Sequence, residues 1–94
     1  MSKNNGKNYD SFTIILIINE RYVRWEEFQL LETIQDVYKL LYSKYKIENC
    51  IIEMNELYLS TYMNVRLLDI CKNYTATLYV DTNDKNYTLC KSIF

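Results

Sequence analysis

Thr33-Ile34-Gln35-Asp36-Val37-Tyr38-Lys39-Leu40-Leu41-Tyr42-Ser43-Lys44-Tyr45 carries the one sustained helical period in the chain. At about 100° per residue, Ile34, Val37, Tyr38, Leu41 and Tyr45 share a face, while Gln35, Asp36, Lys39, Ser43 and Lys46 lie off it. Leu40 and Tyr42 flank the stripe at about 240° and 80° from Ile34, where they either widen the core or touch a partner. Thr33 marks the start: its hydroxyl is placed to accept from the backbone N–H three residues on, and Asp36 is placed to reach back, an Asp variant of the capping box. Asp36 in the first turn and Lys44 and Lys46 near the end suit the helix dipole. One helix with one apolar face, flanked by strand and turn signals on both sides, has to pack on a sheet.

On the N-terminal side, residues 1–10 are polar, hold the only glycine (Gly6), and read as a flexible tail without an apolar targeting segment. Ser11 to Ile18 is nearly continuous β-branched and aromatic sequence, which belongs at the centre of a sheet. Asn19-Glu20-Arg21 is a turn. In residues 22–28, Val23 and Trp25 alternate with Arg24 and Glu26, the pattern of a half-buried antiparallel strand whose charges defend an edge.

On the C-terminal side, Cys50, Ile52 and Met54 alternate with Ile51 and Glu53, and Asn55-Glu56 turns the chain into Leu57-Tyr58-Leu59, a second hairpin. Residues 60–74 are irregular, with a helical turn around 65–70 anchored by Leu67 and Ile70. In residues 76–80, Leu78 and Val80 point one way and Tyr79 the other. Residues 81–86 form a turn, and residues 87–94 are expected as an added strand pairing back on 76–80. The most apolar strands, first and last, can lie side by side in parallel because the helix sits in the long connection between them. The expected fold is α+β: a mixed four- to five-stranded sheet with one helix on one face, in a domain of residues 11–81 followed by an extension of residues 82–94.

Glu32-Thr33-Ile34-Gln35-Asp36-Val37 resembles the helix start of ubiquitin. Ile47, Leu67, Asp69 and Thr77-Leu78-Tyr79-Val80 stand where ubiquitin-like domains have matching residues, and the likeness spans roughly residues 12–81. The resemblance implies the β-grasp fold. It also implies a protein-recognition surface on the sheet face away from the helix, to which Ile51 and Tyr79 correspond, with Asp81 where an aliphatic residue is usual. Conjugated members of the family end in Gly-Gly, whereas this sequence has no glycine after Gly6 and runs Cys90-Lys91-Ser92-Ile93-Phe94. The expectation is a non-conjugating relative, and such relatives act by holding a protein partner. Tyr87, Leu89 and Phe94 join the candidate surface as an apolar extension suited either to folding back or to strand addition on another protein.

Composition narrows the alternatives. The net charge is −1, from 11 basic and 12 acidic residues of interspersed sign. Lys39, Lys44 and Lys46 read as a solubilising face, so no nucleic-acid partner is expected. The longest apolar run, Ile14 to Ile18, is too short to span a bilayer. With no histidine, neither a Ser-His nor a Cys-His nucleophile pair can be built, and the usual zinc patterns are excluded. The three widely spaced cysteines Cys50, Cys71 and Cys90 suggest a reducing compartment, cytoplasmic or nuclear, and read as inert thiols. Glu26 and Glu27, adjacent on a strand, face opposite sides and share no substrate. Asn73-Tyr74-Thr75 and Asn86-Tyr87-Thr88 match the glycosylation acceptor pattern by chance. No catalytic residue, cofactor, metal or small-molecule substrate is expected. The expected function is protein binding as an adaptor or complex subunit, with a covalent modifier bearing an atypical C-terminus as the alternative.

Overall fold

The computed structural model describes residues 11–84 and 86–88. Its elements are β1 (Ser11–Ile18), β2 (Tyr22–Gln29), α1 (Ile34–Tyr45), β3 (Cys50–Met54), β4 (Leu57–Tyr58), short 3-10 turns at Leu59–Thr61 and Leu67–Asp69, and β5 (Thr75–Thr82). The five strands form one sheet in the order β2-β1-β5-β3-β4. The continuous apolar run of β1 takes the interior place expected of it. It pairs antiparallel with β2 and parallel with β5, Ile14 opposite Ala76, Leu16 opposite Leu78 and Ile18 opposite Val80. Phe12, Ile14, Leu16 and Ile18 are buried on the helix side, with Leu78, Val80 and Ile52 beside them.

Ile34, Val37, Leu41 and Tyr45 bury the predicted stripe of α1 against this layer. Leu40 is half-buried and widens the stripe, whereas Tyr42 is exposed. At the N-terminus the Asp36 carboxylate accepts from the Thr33 backbone N–H at 2.8 Å, closing the Asp half of the capping box. The first-turn N–H groups of Ile34 and Gln35, which no helix carbonyl can reach, donate to the carbonyls of Val65 and Met63 at 3.0 and 3.1 Å. Leu67 N–H donates to Glu32 O at 2.7 Å. These bonds and the fully buried Leu67 stitch the irregular connection between β4 and β5 to the helix start. At the other end Lys46 takes the left-handed conformation (φ 60°, ψ 34°), and Ile47 N–H closes on Leu41 O at 2.9 Å.

A chain whose one glycine is Gly6 must build the hairpins among its described residues otherwise. Asn19-Glu20, Asn55-Glu56 and Asn73-Tyr74 are each consecutive residues at positive φ, between 52° and 68°. Asn leads each pair because its short polar side chain tolerates the left-handed region best after glycine. Asn19 does more. Its backbone N–H donates to Val80 O at 2.7 Å, its Nδ2 donates to Thr82 Oγ1 at 2.9 Å, and its Oδ1 accepts from Thr82 N–H at 2.8 Å. The side chain therefore extends the parallel β1–β5 ladder past the point where β1 turns away, and satisfies Thr82, the one buried polar residue among those described.

The structure differs from the expectations at the strand ends and in β2. β5 lies between β1 and β3, and residues 87 and 88 are not in a strand; residues 89–94 of the expected added strand, like the tail of residues 1–10, lie outside the described residues. β5 also runs to Thr82, so the sheet takes in the first residue assigned to the extension. β2 is an edge strand as expected, but the face it buries holds Tyr22, Arg24, Glu26 and Phe28, and Val23 and Trp25 face outward. Phe28, opposite Phe12 and 4% exposed, sets this register, since a slip by one residue would drive it into solvent.

Replacing Glu56 by Gly, which leaves an Asn-Gly pair at the same positive φ, is expected to raise unfolding free energy by about 1 kcal/mol in urea denaturation. Asn19→Ala is expected to lower it by about 2–4 kcal/mol in the same assay, because two hydrogen bonds are lost and the buried Thr82 amide is left without its acceptor.

Candidate protein-binding face

The register of the five strands determines what lies on the sheet face away from α1. Val23 is opposite Ile17, Ile17 opposite Tyr79, Tyr79 opposite Glu53 and Glu53 opposite Tyr58, one row that crosses every strand. Trp25, Ile15 and Thr77 form the next row, and Asp81 with Ile51 another. Much of this face is open apolar surface. Trp25 is 66% exposed, Tyr58 61%, Tyr79 49%, Ile51 47% and Val23 40%. A shallow concavity of about 560 Å³ lies within it, with Ile17, Ile51, Tyr58 and Tyr79 as its apolar lining. Glu20, Glu53, Asp81 and Arg21 are its charged lining, three carboxylates to one guanidinium, so the concavity favours positive charge.

Of the residues expected from sequence, Ile51, Tyr79 and Asp81 come together here. Tyr87 does not. It is half-buried at the C-terminal end of α1, where its hydroxyl donates to Tyr45 O at 2.8 Å and its ring meets Tyr22 edge-on at 6.2 Å. Leu89 and Phe94 lie outside the described residues. Sequence reasoning missed Val23, Trp25 and Tyr58. The alternation of β2 was visible, but two charges on one side of it suggested solvent there. The available signal was Phe28, which has the same parity as Arg24 and Glu26.

What admits Glu26 is a polar cluster on the helix side. Tyr45 donates its phenolic proton to Glu26 Oε2, and Lys44 Nζ lies 2.9 Å from the same oxygen. Burial, and then the hydrogen bond to Glu26, hold the Tyr45 phenol well above its ordinary range, so it stays protonated. Tyr45 is 1% exposed, which leaves no room for a ligand, and the cluster braces α1 against β2.

The two cysteines within the described residues sit apart from each other, both half-buried and both reduced. Burial, and then the Asp81 carboxylate, push the Cys50 thiol up to about 11, and burial alone pushes Cys71 up to about 11. Both thiols are thereby poor nucleophiles near neutrality. Among the described residues no group of three His, Cys, Asp or Glu side chains could hold a metal ion, and no helix is long and apolar enough to cross a membrane.

No protein-family model matches the sequence, and no curated protein matches it either. Among solved structures, a de novo design based on ubiquitin matches with a TM-score of 0.60 at 17% identity, over 84% of this chain and 96% of that one. The fold is ubiquitin-like β-grasp, a five-stranded mixed sheet with one helix.

At pH 8 the thiolate fraction of Cys50 and Cys71 is expected to be about a hundredfold lower than for an ordinary thiol. Iodoacetamide labelling read by peptide mass spectrometry should accordingly be slowed by about that factor relative to the urea-unfolded chain. The labelling rate at both sites should keep climbing between about pH 9 and 11, where an ordinary thiol has levelled off.

Proposed function

We propose, taking the ubiquitin-like β-grasp fold as premise, that this chain is a non-conjugated protein-binding module, an adaptor or subunit of an intracellular complex, which holds its partner on the sheet face away from α1. The observation that carries the reading is the band of exposed aromatic and aliphatic side chains running from Val23 and Trp25 through Tyr79 and Ile51 to Tyr58. An open apolar area with a charged border is the usual makeup of a recognition site, and Tyr and Trp dominate binding energy in such sites. The carboxylates of Glu20, Glu53 and Asp81 add a preference for a partner that presents lysine or arginine around an aliphatic or aromatic anchor. Absence of catalysis fits a chain with no histidine and with thiols held protonated.

Affinity capture at near-physiological expression is expected to recover a stoichiometric, non-covalent protein. Tyr79→Ala or Trp25→Ala should weaken its binding by about thirtyfold, the scale of losing an aromatic anchor, while Tyr42→Ala on the exposed side of α1 leaves it unchanged. Equal binding by all three variants would contradict this choice of face. Isopeptide-linked bands that survive boiling and reductant would contradict the non-conjugated reading.

A further inference from the structure

The sheet has two borders. One is β4, only two residues long, and the other is β2, eight residues that pair with β1 alone among the described residues. A long edge strand is ordinarily blunted by a bulge, a proline or unbalanced charge, because its outer backbone groups are a template for another strand. β2 has no proline and its register with β1 runs without interruption from Tyr22 to Gln29; its one arginine and two glutamates leave it a single net negative charge, and they stand in a particular order.

That order is self-complementary. In an antiparallel pair of identical strands related by a two-fold axis, each residue meets the one equidistant from the axis, and partners keep the same face. With the axis at Trp25, Arg24 meets Glu26 of the other copy and Glu26 meets Arg24, on the helix side. Tyr22 meets Phe28, also on that side. On the outward side Trp25 meets its own counterpart, and Val23 meets Glu27. Moving the axis to Arg24, Glu26 or Glu27 sets that residue's like charge directly opposite itself, which destabilises a strand pair. The Trp25 register alone among these sets both opposite charges and aromatic residues against each other, in two charged and three aromatic pairs.

We infer that β2 is a homodimerisation edge, joining two copies of this chain in antiparallel register about Trp25 into a continuous ten-stranded sheet. The occupant is a second copy because the Arg24–Glu26 pattern complements itself under the two-fold. The joined sheets place both outward faces on one side of the dimer, so two partner sites lie next to each other. This inference goes beyond the proposed function and stands without it: failure to dimerise leaves the Tyr79–Ile51 face untouched, and failure of partner capture leaves the edge untouched.

Sedimentation velocity of the whole chain tests it. Wild type is expected to show a monomer–dimer equilibrium with a Kd below about 100 μM. The emission of Trp25, the only tryptophan, should shift to the blue as concentration rises, since it is 66% exposed in the single chain. R24E and E26R should each be monomeric, because both create two like-charge pairs, and an equimolar mixture of the two should form a heterodimer. Glu26 also holds Lys44 and Tyr45, so a second set avoids the packed side: V23E should weaken association several-fold, and V23E with E27K in one chain should restore it. Wild type that stays monomeric above about 100 μM overturns the inference. So does a dimer that survives V23E and R24E unchanged, or protection of β2 amides from exchange that is independent of concentration, since the edge would then be covered from within the chain.

Discussion

The parallel pairing of β1 with β5 is the contact on which the other elements depend. Parallel neighbours cannot be joined by a tight turn, so the chain between them must make a long excursion. α1, β3, β4 and two 3-10 turns all belong to that excursion. The pairing puts Ile14, Leu16 and Ile18 beside Leu78 and Val80, and the helix covers the layer so formed. The excursion is fastened at both ends. Carbonyls of Met63 and Val65 take the first helical N–H groups, and Asn19 clasps Thr82 after β1 has turned away. Without the ladder, neither fastening would have its partner in reach.

Polar groups inside the fold are admitted in matched sets. Glu26 enters the helix side of the sheet because the Tyr45 phenol and Lys44 meet it there. Thr82 is buried because the Asn19 amide offers it both a donor and an acceptor. Both sets join elements distant in sequence, so they specify which strand and which face meet as well as adding stability. The near absence of glycine shifts the turns to Asn-led pairs, a local strain of about 1 kcal/mol at each second residue that the hairpins tolerate.

Much of this architecture was legible in the residues. The 3.6-residue period of α1 located the helix and its buried stripe, the Thr33–Asp36 spacing marked its start, and the apolar run of β1 announced an interior strand. Alternation also set Leu78 against Tyr79, and Ile51 against Ile52 without saying which of the two is exposed. Legibility failed where long-range contacts decide. Glu26 looked like a solvent-facing charge because its partners in space, Lys44 and Tyr45, lie 18 and 19 residues away in sequence. The extension was expected on β5 because strand propensity does not reveal that β5 lies between β1 and β3. Half of the candidate site was visible, Ile51, Tyr79 and Asp81; Trp25 and Val23 joined it only once the parity of β2 was settled by Phe28.

What the fold presents outward is a consequence of what it buries inward. With one face of α1 spent on the core, the open aromatic surface lies on the opposite side of the sheet, and that is where we propose a protein partner binds. The most direct measurement is residue-by-residue NMR mapping of the isotopically labelled chain as the captured partner is titrated in. Shifts concentrated at Val23, Trp25, Ile51, Tyr58 and Tyr79 are the expected result. Shifts confined to the exposed side of α1, at Gln35, Lys39 and Tyr42, with the sheet face silent, would contradict it.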